Sequence, residues 1–277
     1  MLNRPQEYAQ MAKVEGALWW YRALHELVVD TIQCEMSAHD IRILDAGCGT
    51  GGLMVFMQEY GYRYVQGFDL SEHAVEACRA NGLSAEKDSL VNIAHRYGGQ
   101  KFDVIVSNDT LYFLGKAERS AFVNDCHTLL KPGGLLIMNL PALAAFRGIH
   151  DVSVGIGRRF TRTVVHGLFR DSGLTLIRET YWPFLASPPI YVARLWQRLQ
   201  MRMRSDFEVR SDVSLPPLVV NGLLYRLTRC ENRWLRRKPW GSSLFVVARR
   251  SAVVSQQQTV NRLPVQGYGR KQGKDQP

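Results

Sequence analysis

No apolar run in this chain of 277 residues is long enough to cross a bilayer. The longest, GLLIMNLPALAAF, is broken by Asn139 and Pro141, and the opening MLNRPQEYAQMAKVEG lacks the basic-then-apolar order of a secretion signal. A cytoplasmic protein is expected. Cysteine is sparse and unpatterned: Cys34, Cys48, Cys78, Cys126 and Cys230 are odd in number and show no CxxC or CxxxC spacing. Neither a disulfide framework nor a zinc site is suggested, reduced thiols fit, and no metal is expected. Acidic residues are scarce in the second half. Residues 151–277 hold 8 Asp+Glu against 22 Lys+Arg, a net +14, whereas residues 1–150 hold 17 against 13, a net −4. The asymmetry points to an anionic partner for the C-terminal half: a membrane surface, a nucleic acid or an acidic substrate. No internal repeat is visible.

What is present is enough apolar residue, 46%, to fill a sizeable core. From Ile41 onward short apolar runs alternate with helical patterns, as in a parallel sheet with crossover helices. The predicted strands are 41–46, 64–70, 83–88, 102–109, 133–140, 174–182 and 243–250. Between them the spacing predicts helices over 52–60, 71–81 (with Ser71 as N-cap), 116–130 and 161–173, the last closing on Gly173. Two segments break the alternation. Residues 1–40 read as a helical arm with an aromatic block, Trp19, Trp20 and Tyr21, and residues 183–242 as an arginine-rich helical insertion before the last strand. The tail, 251–277, is poor in apolar residues and is expected to be disordered.

The stretch ILDAGCGTGG, 43–52, concentrates glycine directly after an apolar run that contains Asp45. Glycine at this density is useful where a chain turns sharply or a ligand approaches its backbone. A lone glycine motif does not separate a dinucleotide site from the related S-adenosylmethionine (SAM) site. Here an acid precedes the glycines and a second, Asp69, ends the next strand 24 positions later.

With DAGCGTG, GFDLS, FDVIVSNDTLYFL and LLKPGGLLIMN in that order, the sequence resembles a class I SAM-dependent methyltransferase over about 40–182 and again over 243–250. The resemblance implies an α/β fold: a Rossmann-like sheet of seven strands, mostly parallel with an antiparallel last strand, plus the N-terminal arm and the insertion. It implies SAM as cofactor. Asp69 would take both ribose hydroxyls, Gly47, Gly49 and Gly51 would form the floor with Cys48, and Asp45 would lie beside the amino group. Leu70 follows Asp69 at the second strand end. Asp88 and Ser89 would face the adenine amino group, against the alternative that Asp88 is a helix N-cap. Asn108 and Asp109, ending the fourth strand, would border the methionine end. Cys48 reads as a small packing residue rather than a nucleophile, since nothing near it in sequence lowers its pKa.

Methyl transfer to a hydroxyl needs a positioned nucleophile and a proton acceptor. After the fifth strand, His150 and Asp151 offer a base and its orienter; alternatively Asp151 pins the loop and His150 is polar surface. His166 reads as packing. Tyr21 and Trp20 either close over the cofactor or anchor the core. A bacterial subgroup of these enzymes is similar in more detail: Trp19-Trp20, His150-Asp151, Gly155 to Thr161, Ser211-Asp212 with Pro216-Pro217, and Pro239 to Arg250 match its order. Members carry His where this chain has Ile156, so no role of that His is transferred.

The insertion predicts two basic amphipathic helices, 190–204 and 218–237. In the first, Val192, Leu195, Trp196, Leu199 and Met203 share one face while Arg194, Arg198 and Arg202 recur along another. Such helices read as interfacial membrane anchors or as a lid that packs its apolar face over the substrate side and leaves its arginines in water. Either covers the site with apolar surface, so a small lipophilic or aromatic acceptor is expected, with O-methylation favoured. An RNA methyltransferase and a non-catalytic SAM-binding subunit remain as alternatives. Nucleic acid is disfavoured because no RNA-binding motif appears and SNDTLY stands where base-amine methylation would need an N/D-PP-aromatic tetrapeptide.

Overall fold

A computed structural model describes residues 5–203, 214–235 and 237–252. Ser211, Asp212, Arg204, Arg236 and almost all of the tail expected to be disordered lie outside the described residues. Within them the strands are β1 (Arg42–Ala46), β2 (Tyr64–Asp69), β3 (Ser84–Lys87), β4 (Phe102–Asn108), β5 (Leu130–Pro141), β6 (Leu174–Trp182) and β7 (Ser243–Arg250). They form one sheet in the order 3-2-1-4-5-7-6. β1 to β5 pair in parallel, and β7 runs antiparallel to both β5 and β6.

Central strands are apolar almost without break because both faces of the sheet are covered. Alternation decides which face each residue serves. Leu44, Ile105, Leu136 and Val246 point into one core. Ile43, Val104, Ile137 and Val247 point into the other. α2 (Trp19–Glu35), α3 (Gly52–Glu59) and α4 (Glu72–Ala80) contribute Val28, Met54 and Val75 to the second core. α6 (Lys116–Leu129) and α8 (Arg162–Phe169) contribute Phe122 and Val165 to the first. Each fully buried side chain of this size stabilises by roughly 2 kcal/mol.

The N-terminal arm is two helices rather than one, α1 (Pro5–Val14) and α2, separated around Gly16. Two short helices fall where sequence periodicity predicts none, α5 (Ile93–Tyr97) and α7 (Ile149–Val154). Neither is long enough to show a hydrophobic period. The predicted insertion helices are α9 (Ser187–Met203) and α10 (Leu218–Trp234). α10 packs along α2, where Arg229 pairs with Glu26 at 3.4 Å and the Tyr225 hydroxyl donates to the same carboxylate. Asn221 of α10 clasps the turn into α2, accepting from the Trp19 N–H and donating to the Ala17 carbonyl, both at 2.9 Å. Among the described residues no helix is long and apolar enough to cross a membrane.

Candidate active site

The strand ends of β1, β2 and β4 converge where the strand order reverses, the place at which open α/β sheets bind ligands. A cavity of about 470 Å³ lies there, lined by Asp45, Gly47, Cys48, Gly49, Asp69, Asn108 and Asp109 from the strand ends. α1, α2 and the turn between them roof it with Tyr8, Met11, Glu15, Trp20, Tyr21 and His25, and His150, Arg159, Ile190 and Pro216 close the far side.

The glycine loop is shaped by close approach. Gly47 and Gly49 have φ of +85° and +55°, which side chains with a Cβ rarely adopt. A Cβ on Gly49 would fall 2.5 Å from the Met11 terminal methyl. Asp69 fixes the loop: its Oδ2 accepts the Gly49 N–H at 3.0 Å and its Oδ1 accepts the Ser71 N–H at 2.9 Å, with the Tyr8 hydroxyl at 3.4 Å. Two carboxylate oxygens have about four acceptor sites between them, so Asp69 retains capacity for hydroxyl donors.

The cavity is crowded with carboxyl groups, and their burial and mutual repulsion disfavour the charged forms. Glu15 reaches in from the roof and accepts from the Thr50 hydroxyl. Its carboxyl is pushed up, mainly by burial. Burial raises Asp45 to about 8, with Glu15 and Asp69 adding like-charge repulsion. Burial also raises Asp69, against which the Ser71 and Gly49 amides pull down. Asp109 is raised to about 7 by burial, opposed by its bond from Asn139 and by the Arg159 charge. Its backbone sits at φ +52°, a left-handed conformation uncommon outside glycine. Its side chain is aimed by a relay: Trp182 Nε1 donates to Asn139 Oδ1 and Asn139 Nδ2 donates to Asp109 Oδ2, both at 2.8 Å. Trp182 in turn stacks on Trp20 at 5.4 Å, and Trp20 meets Tyr21 edge-on at 5.2 Å. The aromatic block of the arm therefore packs on the core through Trp20 and borders the cavity through both Trp20 and Tyr21.

Several expected site residues lie elsewhere. Leu70 is exposed and does not line the cavity, because Asp69 is the last inward position of β2. Gly51, at φ +88°, starts α3 behind the loop instead of forming its floor. Asp88 turns onto its own segment, accepting the Ser89 N–H at 2.7 Å and the Asn92 side-chain amide at 3.1 Å, and Ser89 caps a short 3-10 turn. Neither lines the cavity. Asp151 is not an orienter for His150. It is fully buried against Arg159, at 2.6 Å and 2.9 Å, and accepts the Gly148 N–H at 3.0 Å, so it pins the loop as the alternative reading held. His150 does line the cavity. His166 is exposed and bonds Glu179 at 2.9 Å instead of packing. Cys48 packs against Cys78 with the sulfurs 3.9 Å apart, and the hydrogen bond with Cys78, together with burial, drives its thiol well up, away from nucleophilic use. Sequence reasoning missed Glu15 and Tyr8 entirely. Nothing in their spacing says that the arm folds back over the glycines.

Comparison with known proteins agrees with this geometry. Residues 43–134 match the family model described as a methyltransferase domain. The ubiquinone biosynthesis O-methyltransferase of Parvibaculum lavamentivorans is 29% identical over 158 residues, 48% of this chain and 61% of the relative. The chain spans about three fifths of the length of such curated relatives. Among solved structures, a SAM-dependent methyltransferase from Archaeoglobus fulgidus superposes with a TM-score of 0.52 at 14% identity, covering 81% of this chain and 94% of that one. The [4+2]-cyclase SpnF matches with the same TM-score at 15% identity, covering 86% and 84%. The cyclase shows that the fold by itself does not fix the reaction.

Residues 43–134 thus match a methyltransferase domain, and the fold and motif order around them are similar to those of class I SAM-dependent methyltransferases. The cavity suits that cofactor. SAM carries a sulfonium and an ammonium, and four carboxyl groups stand around the space. The buried Asn108 Oδ1 at its edge has no hydrogen-bond partner among the described residues.

Proposed function

We propose that the protein moves a methyl group from SAM to a small lipophilic or aromatic acceptor, with a hydroxyl oxygen as the receiving atom. The observation that carries this reading is the composition of one cavity, which brings carboxylates from β1, β2 and the arm together with the aromatic side chains Trp19, Trp20, Tyr21, Tyr112, Phe113 and Phe146. The first set suits a cation and the second a flat or greasy partner. Relatives that carry the name ubiquinone biosynthesis O-methyltransferase support the same acceptor class.

Bound SAM supplies a methyl group already activated on a sulfonium. The protein's share is then orientation, charge complementarity and removal of a proton. Asp69 holds the ribose hydroxyls with the lone pairs its two amide bonds leave over. Asp45 and Glu15 offset the cofactor's positive charge, and the cation in turn relieves their mutual repulsion. Two groups on the cavity wall serve as proton acceptors for the substrate hydroxyl, His150 and Asp109. Asp109 is aimed by the Trp182–Asn139 relay, and its carboxyl at about 7 is poised near neutral pH. His150 keeps its place without help from Asp151. We place the protein in the cytoplasm, in peripheral contact with the inner face of the membrane through the basic insertion.

The experiment is to incubate the purified protein with methyl-labelled SAM and a cell extract, then partition the label among organic-soluble, nucleic-acid and protein fractions. Label in the organic fraction that vanishes with Asp69→Ala supports the reading. Label in nucleic acid replaces the acceptor class, and SAM binding without any label supports the non-catalytic subunit.

A further inference from the structure

A helix packed on a protein ordinarily turns its apolar stripe inward and its charges to water. α9 does the reverse. Val192, Leu195, Trp196, Leu199 and Met203 are 64%, 47%, 61%, 45% and 78% exposed. Polar side chains help to hold it to the molecule, Gln197 accepting the Ile149 N–H at 3.3 Å and Arg198 donating to the Ala145 carbonyl at 2.8 Å, beside Tyr191, whose ring meets Phe146 edge-on at 6.1 Å. The lid arrangement, apolar side down and arginines in water, is therefore not what the sequence adopts.

The start of α10 continues the pattern, with Leu218 and Val219 more than four-fifths exposed and Leu215 and Leu223 also open. Both elements border the cavity, through Ile190 and Arg194 of α9 and through Ser214 and Pro216 just ahead of α10. Val152 of α7, which packs beside α9, is exposed as well. Charge is distributed with equal one-sidedness. α9 has no acidic residue, and the only one in α10, Glu231, is buried with Lys238. Arg147, Arg158, Arg226, Arg233 and Arg237 are exposed around these elements.

We propose that this apolar face docks on an anionic phospholipid bilayer. α9 lies in the interfacial plane with Trp196, Leu199 and Met203 in the acyl boundary, and the start of α10 lies in it too. Large exposed apolar side chains with tryptophan, rimmed by arginine, have the composition of an interfacial anchor. Charge complementarity selects lipid over a second copy of this chain, since a self-complementary contact would bring the same arginines together. Docking brings the rim of the cavity to the bilayer, so that a lipophilic acceptor enters without crossing water. The docking deepens the membrane contact proposed above by naming its face and its lipid, and only the entry route rests on the methyl-transfer reading.

The test is sedimentation of the full chain with vesicles of phosphatidylcholine alone or of phosphatidylcholine and phosphatidylglycerol in equal parts. The expected result is binding to the anionic vesicles, weakened by salt, with the bound-to-free ratio falling at least about tenfold in the double variant Trp196→Glu, Leu199→Glu. These positions are exposed, so the variant should keep the wild-type thermal midpoint and SAM affinity. Absence of sedimentation, or equal sedimentation of wild type and variant, overturns the proposal. So does a dimer in light scattering that the same variant dissociates, which would make the face a contact between copies. Failed docking leaves extract labelling intact, whereas a failed methyl-transfer reading leaves vesicle binding intact.

Discussion

The strand-end site and the cap helices were built by the same sequence with opposite use of polarity. At the ends of β1, β2 and β4 acids are drawn inside, to about 8 for Asp45 and about 7 for Asp109, around a space suited to a cation. On α9 the apolar stripe from Val192 to Met203 is left outside while Gln197 and Arg198 bond inward. Both arrangements are costly in water alone: carboxyls gathered in a buried cavity, and exposed tryptophan and leucine without a cover. On the readings proposed above, each becomes favourable with a particular partner, a cationic cofactor in one place and a lipid surface in the other.

The largest effect expected to sharpen this contrast is on the proton acceptor. Asp109→Asn keeps the shape but removes the base, and methyl transfer should fall by about 10²–10⁴-fold with SAM affinity little changed. In the unaltered protein a base at about 7 must be deprotonated, so the rate should fall as pH drops below about 7, and the variant's profile should lose that limb. If His150→Ala instead removes the limb, His150 is the base.

Next in size is the buried Asp151–Arg159 pair. Asp151→Ala strands a guanidinium that also donates to the Ala142 and Ser242 carbonyls, and it should cost about 3–5 kcal/mol in urea unfolding. A loss under about 1 kcal/mol would mean that Arg159 finds solvent or another partner.

Asp69→Ala should weaken SAM binding about 100-fold, the equivalent of one or two charge-assisted hydrogen bonds. A smaller and more diagnostic effect concerns Asp45. Its carboxyl is largely protonated at pH 7 without ligand, and a bound cation favours the ionised form, so binding should release up to about one proton per site. Titration calorimetry in buffers of different ionisation enthalpy reads this directly. The same linkage sets the sign for the ligand-free protein. Asp45 and Asp109 have folded pKa values above those of the unfolded chain, so the folded state binds more protons and stability should decline as pH rises from about 4 to about 8. The smallest effects expected are those of Asp88→Ala and Trp196→Glu on SAM affinity, which should be nil, one because it serves its own loop and the other because it faces outward.

The sheet was legible in the sequence because period-two alternation and glycine punctuation are local signals. β6 and β7 fall on the predicted residues, and the others differ by a few positions at most. Asp45, Asp69, Asn108 and Asp109 were legible because strand ends are where such folds gather polar groups. Asp88, Ser89 and Leu70 lie outside the cavity lining, and position after a strand does not say whether a side chain turns toward a ligand or onto its own turn. Asp151 belongs with them: its partner Arg159 is eight residues away across a loop, and only the fold brings the two together. For α9 the helical period correctly grouped Val192, Leu195, Trp196, Leu199 and Met203 on one face. A period identifies companions, though, and not the medium they meet. The roof from Tyr8 to Glu15 had no sequence signal, since an arm that folds back on a site is a long-range contact.

The central claim, a SAM site built on the ends of β1 and β2, is tested most directly by calorimetric titration of SAM into the wild-type chain, Asp69→Ala and Asp88→Ala. The account predicts saturable one-site binding to wild type and to Asp88→Ala, with binding to Asp69→Ala weakened about 100-fold. Equal binding by all three proteins, or none by the wild type, would contradict it.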